Sequence, residues 1–422
     1  DIDFTNVYLK SFLPTIDSLK LKGKLDGTVT IYQKEGVYGP KGNLSVKDFE
    51  INNFKQGDLS LNIEGESSYE KYDVNFSLER EQAKSISAIG SLDFSETRPK
   101  IDVSVNLEEF ELNAFSPLGE DVLSKIRGDA TGDFTLRGFL RNPEMEGKLL
   151  LKDAGLQFPY LNIDFDFDGD TTVGLNGQSF EFNNINLLDT KYQTKGVLDG
   201  TITHQNFDQW ALDIDILTPN LLVLDTENSD EALYYGTGFI QGNASITGLT
   251  NNITIDVNAK TMPNTSFVIP LKDIASIETY RLIHFKSEQT VEELQEKLAL
   301  DAIEGVSLNI DLEVTKDAQA QIVIDEVNGS ELSGRGLGDL RIEINTNGKF
   351  AMFGDYTIDT GIYNFKYGGI VNKPFTILKG GTIAWSGNPY EANLNVTAVY
   401  TTNANPAVLL ENFNTNRKIP VD

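Results

Sequence analysis

The residues that come nearest to a chemical constellation are the acids of Asp164-Phe165-Asp166-Phe167-Asp168-Gly169-Asp170. The order D-x-D-x-D-G opens a calcium loop, in which carboxylates at alternate positions converge on a hard cation. Such a loop needs a bidentate Glu at its twelfth position, where this chain has Leu175, and neither flank reads as a helix. Read as a strand, the same stretch turns Ile163, Phe165 and Phe167 to one face and its acids to the other, into water. The strand is the better fit, with calcium ligation as the alternative.

Other candidates are thinner. The only histidines, His204 and His284, stand far apart with no carboxylate or second histidine beside them, and are expected to be ordinary turn or surface residues. Arg335-Gly336-Leu337-Gly338 superficially matches a phosphate-cradling loop. No helix with a basic residue follows, and Leu340 to Ile344 reads as a strand, so a β-turn is expected there. The chain has 63 acidic residues, yet no spacing singles out a carboxylate pair for glycoside chemistry. Tripeptides such as Asn243-Ala244-Ser245 are expected by chance in a chain this rich in Asn, Ser and Thr. The absence of cysteine rules out disulfides, thiolate metal sites and a cysteine nucleophile. A protein that is not an enzyme is expected, with no cofactor and no metal.

The elements that would position these residues are nearly all strands. Short runs alternating apolar and polar residues, separated by Gly or Asn turns, recur from end to end, as in Leu25 to Ile31, Leu44 to Ile51, Val74 to Leu78 and Ile101 to Leu107. Such a succession makes sheet with one oily face and one wet face. Leu118 to Ile126 is a short helical candidate, and Thr290-Val291-Glu292-Glu293 opens an amphipathic helix over 290–304. These punctuate the chain into strands over 1–117, strands over 118–289, the helix, and a carboxyl-terminal β domain over 305–422.

Composition bounds what the wet face can meet. With 63 acidic against 35 basic residues the net charge is −28, so nucleic acid and anionic bilayer surfaces are repelled and no nucleic-acid partner is expected. A hydrophobic content of 40% with 24 Phe and 15 Tyr belongs to a folding chain. No run approaches the roughly 20 apolar residues of a membrane helix, and no signal-peptide pattern opens the chain. It starts at Asp1 in mid-pattern and ends in half a strand, as a segment of a longer protein would, with any membrane anchor outside it.

The stretch from Arg127-Gly128-Asp129 through Arg141-Asn142-Pro143 to Asp153-Ala154-Gly155-Leu156 resembles the recurrent unit of the TamB (translocation and assembly module) and AsmA-like family. Gly238 to Gly248 resembles a second copy without the Asn-Pro. Phe375 to Pro389, followed by Leu394 to Tyr400, is similar to the hallmark of that family's carboxyl-terminal domain. The resemblance implies an elongated, curled antiparallel sheet, all-β with one or two short helices, that forms a U-shaped hydrophobic trough or β-taco. It also implies a periplasmic protein of a Gram-negative bacterium, anchored in the inner membrane, with a TamA/BamA-like barrel-assembly partner at its carboxyl-terminal end. The trough would conduct phospholipids between the inner and outer membranes, their acyl chains lying on the apolar face.

Residues of one parity within a strand should line that groove. In the middle of the chain these are Leu149 and Leu151; Ile163, Phe165 and Phe167; Phe180 and Phe182; Leu198 and Ile202; and Leu212, Ile214 and Ile216. Near the end they are Phe375 and Ile377, Ile383 and Trp385, and Leu394 and Val396. A β-bulge would swap the parity from its position onward. The alternative function is a scaffold for outer-membrane barrel assembly or translocation, offering a sheet edge to a client strand. A passive β-solenoid and a carbohydrate-active β-helix are further possibilities; the latter needs a fixed coil repeat that is not found.

Overall fold

The computed structural model of the protein describes residues 1–11, 20–65, 70–81, 83–119, 123–206, 208–229, 232, 234–271, 305–345, 349–404 and 419–421. It is 78% strand and 3% helix, so the fold is all-β as the alternation predicts. Two compact units divide it: Asp1–Leu217 with Ser245–Ile253, and Thr218–Ala244 with Thr254–Asp422. The helix expected over 290–304 and His284 lie outside the described residues.

In the first unit the strands from Ile2–Tyr8 to Asn142–Phe158 form a meander, each pairing antiparallel with the next along the chain. Tight turns make this possible. Glu35 and Gly36, and likewise Asn52 and Asn53, both take positive φ between paired strands, the backbone a two-residue hairpin requires. After Phe158 the sheet gains a strand in two collinear pieces. Ile163–Phe167 and Thr171–Gly177 both lie between Asn142–Phe158 and Ser179–Asp189, and the chain leaves the ladder at Asp168, Gly169 and Asp170.

Four bulges in this unit share one construction. Asn6, Asp48, Glu109 and Asn184 adopt left-handed backbone, with φ of 54°, 50°, 48° and 53°, where the register with the following strand slips. Each donates its N–H to a side chain on that following strand: Asp26 at 2.7 Å, Asp58 at 3.0 Å, Thr131 at 3.0 Å and Asp199 at 2.7 Å. The neighbouring side chain thus satisfies a donor that the bulge takes out of the ladder.

Of the helical turn expected from Leu118 to Ile126, residues 120–122 lie outside the described residues and the rest does not form one helix. A 3-10 helix occupies Leu112–Gly119, with Pro117 inside it, and the strand Ser124–Phe139 has already begun at Lys125 and Ile126. The sheet wins because Ser124 and Arg127 pair with Gln157 and Gly155, while the Ser116 hydroxyl accepts the Ile126 N–H. Buried Asn52 ties the 3-10 segment down by donating its amide to the Ala114 carbonyl at 2.9 Å.

In the second unit Ser330–Asn345 pairs with Gly305–Val314 and Gln319–Asp325 on one side and with Phe350–Tyr367 on the other. Phe350–Tyr367 in turn carries Val371–Ile377 and Thr382–Gly387. Ser266–Pro270 and Gln319–Asp325 depart from the antiparallel expectation and run parallel. A parallel pair needs a long crossover in place of a tight turn, so no local turn signal announces it. The half-strand at the chain's end, Ile419–Val421, pairs with Thr402–Ala404 in a separate two-stranded sheet.

Candidate functional site

Three acids of the run at 164–170, Asp164, Asp166 and Asp168, are paired with basic side chains. Arg127 Nη2 lies 2.8 Å from Asp164 and 2.5 Å from Asp166, and Lys195 Nζ lies 3.0 Å from Asp168. Partial burial works against the Arg127 charge, but the hydrogen bond to Asp166 and the charge of Asp164 outweigh it and raise its pKa. Among the described residues no group of three or more acids or histidines is arranged to hold a metal ion. Ile163, Phe165 and Phe167 all lie on the buried face of their strand, opposite those acids.

That buried face extends across neighbouring strands in register. Leu149 stands opposite Val173, and Val173 opposite Phe182. Leu175 stands opposite Phe180, and Phe180 opposite Ile202. Directly opposed residues share a face, so these are two apolar rows of three strands each, together touching four strands. Leu149, Leu151, Leu198, Leu212, Ile214 and Ile216 are buried, and Phe165 is only 2% exposed. Phe180, Phe182 and Ile202 are half-buried, so the face opens toward solvent at their end.

Sequence parity missed part of this face. Val173 and Leu175 follow the alternation and were available to it. Ile185 and Leu187 are hidden by the Asn184 bulge, which moves the inward parity from even to odd between Phe182 and Ile185. His204 is a correction: it is 4% exposed, not a turn or surface residue. It shares parity with Leu198 and Ile202, and its ring packs 5.9 Å from Phe180 and 4.9 Å from Trp210, centroid to centroid. Burial lowers its pKa.

The second unit has an apolar face of the same kind. Ile377 stands opposite Gly361, Phe375 opposite Tyr363, Ile383 opposite Tyr356, and Trp385 opposite Gly354. Ile377, Ile383 and Trp385 are buried, and Phe375 is half-buried between the rings of Tyr363 and Tyr400. Leu394 is 50% exposed and Val396, just past its strand, is half-buried.

Gly334, Gly336 and Gly338 do not form the expected turn; they lie inside the strand Ser330–Asn345. At i, i+2 and i+4 they share one face. A Cβ on Gly336 would stand 2.8 Å from the ring of Tyr356, so their smallness admits that ring. Burial pushes the Tyr356 hydroxyl up to about 12. On the polar side of this unit an open cleft of about 710 Å³ is lined by Lys260, Asp311, Asp339, Arg341 and neighbouring residues, with both signs of charge interspersed.

A family model described as the TamB C-terminal domain matches residues 185–422, more than half of the chain. Comparison with curated proteins and with solved structures finds no match.

Proposed function

The chain belongs to the TamB family, and from that premise we propose that its apolar sheet face carries phospholipid acyl chains between the two membranes of a Gram-negative envelope. TamB-family chains act in the biogenesis of that envelope. Among the described residues no helix is long and apolar enough to cross a membrane, so the inner-membrane anchor of this reading is a segment outside them.

The observation that carries the reading is the in-register apolar face, running from Leu149 through Val173 to Phe182 and from Leu175 through Phe180 to Ile202. Acyl chains need nondirectional contact with apolar surface and no bond chemistry. Much of the lining is packed by its own side chains. Lipid would therefore enter at the half-buried positions Phe180, Phe182, Ile202 and Phe375, and advance as neighbouring side chains part. Headgroups stay outside, because the rows contain no cation to hold a phosphate.

Native mass spectrometry with lipid extraction, on protein purified from bacterial envelopes, tests this. Phospholipid should copurify and be lost in Phe180→Asp plus Ile202→Asp, which places charge where water can still reach it. A folded wild type carrying no lipid under gentle conditions would overturn the conduit.

A second reading rests on one sheet edge. Val371–Ile377 pairs outward only at Thr376 and Ile377, with Val399 and Ala398, so among the described residues positions 371–375 have no outward strand partner. Such an edge can accept a client strand or a TamA-like partner by β-augmentation. A photoreactive residue in place of Asn372 should then crosslink an outer-membrane barrel protein in intact cells.

A further inference from the structure

Two adjacent turns in the second unit point aliphatic side chains straight into solvent. The first, at 326–329, joins Gln319–Asp325 to Ser330–Asn345; the second, at 368–370, joins Phe350–Tyr367 to Val371–Ile377. Because Ser330–Asn345 pairs with Phe350–Tyr367, starting at Glu331 opposite Asn364, the two turns come out side by side. Val327 on one is 96% exposed and Ile370 on the other is 92% exposed. Turn tips normally carry Gly, Asn, Asp or Ser, for reasons of backbone and solvation that Val and Ile do not share.

The tips are held in place. Asn328 donates its side-chain amide to Asp325 at 2.6 Å within its own turn, and its carbonyl oxygen accepts the Gly368 N–H of the other turn at 3.0 Å. The Ser330 hydroxyl donates to the Lys366 carbonyl at 2.8 Å and accepts the Lys366 N–H at 3.0 Å. The backbones that carry the two aliphatic side chains are thus tied to one another, which reduces the ordering entropy to be lost on contact.

The residue types behind the tips follow an order. Tyr367, 65% exposed, sits just before the second turn, and the Lys366 ammonium lies against Gly329 at the base of the first. Aliphatic tip, phenol ring, then ammonium is the order of acyl boundary, interface and phosphate layer read from the bilayer interior out to water. The Asp325 carboxyl is occupied inside its turn, where the N–H and amide of Asn328 lower its pKa. Exposed Glu326 remains beside Val327, which disfavours an anionic surface. A protein partner is the poorer occupant: two protruding side chains are far short of the roughly 800 Å² per partner that a stable interface buries.

We propose that the paired turns bearing Val327 and Ile370 are a bilayer contact, dipping into the interfacial layer of a zwitterionic phospholipid membrane. The contact is weak and reversible, as two side chains dictate, and does not depend on whether the apolar face carries lipid.

The test is flotation of the full chain with phosphatidylethanolamine/phosphatidylcholine vesicles, for wild type and for Val327→Asp plus Ile370→Asp. Wild type should float, and the double variant should lose about tenfold or more in partitioning with an unchanged circular dichroism spectrum and unchanged copurifying lipid. Val327→Trp should show fluorescence quenched by vesicles with brominated acyl chains. Failure of wild type to float, equal flotation of the double variant, or an unquenched tryptophan would each overturn the proposal. So would a photoreactive residue at position 327 that labels a protein in envelopes while vesicles fail to bind. Phe180→Asp plus Ile202→Asp should float like wild type even when its copurifying lipid is lost, which separates failure of the tips from failure of the groove.

Discussion

Arg127 reaches the acids of the next strand but one by lying flat over Gly155. A Cβ built on Gly155 would stand 2.5 Å from the guanidinium carbon of Arg127 and 2.6 Å from the Phe165 carbonyl oxygen. Any side chain there must lift the guanidinium away from Asp164 and Asp166 and push on a paired strand. Gly155→Ala should therefore destabilise the protein by about 1–3 kcal/mol, read as a drop in the urea midpoint with the slope unchanged. A midpoint equal to wild type would show that the strands yield freely at this point.

The bulge at Asn184 depends on its neighbour for a hydrogen-bond acceptor. Asp199→Ala removes it and should cost about 1 kcal/mol, whereas Asp199→Asn keeps an oxygen in place and should restore most of that loss. Equal midpoints for the two variants would mean that water serves the Asn184 N–H equally well.

His204 should make stability fall in mild acid. Its folded-state pKa is below the ordinary 6.5 because burial disfavours the imidazolium. The unfolded chain therefore binds the proton first as pH drops through about 6.5, and the stability present above that pH is lost as pH falls through the folded value. Paired carboxylates add their own losses at lower pH, so the measurement is a difference. Between pH 7 and pH 5, His204→Phe should lose less stability than wild type. Parallel curves would place the acid sensitivity elsewhere.

The fold class was legible because period-two alternation is local: Ile163, Phe165 and Phe167 announce their face without help from any other strand. What could not be read depends on partners distant in sequence. Asn184 is an unremarkable Asn until Asp199 caps it, so the parity change that brings Ile185 and Leu187 inward had no signal. Gly334, Gly336 and Gly338 look like a turn until Tyr356 is seen to lie across them. The helix expected to run on through residues 124–126 gives way to strand because Gln157, the ladder partner of Ser124, lies far along the chain. His204 could have been found, since it keeps the parity of Leu198 and Ile202, but its polarity argued against the face it occupies.

The capped bulges of the first unit have a further consequence. A bulge bends and twists its strand, and here each bend is set by one left-handed residue and one acceptor on the strand that follows: Asn6 with Asp26, Asp48 with Asp58, Glu109 with Thr131, Asn184 with Asp199. Curvature is thus written two strands at a time. Copying or deleting one such strand pair would lengthen or shorten the sheet while leaving its neighbours' bends as they were, so span and bend can vary independently in this unit.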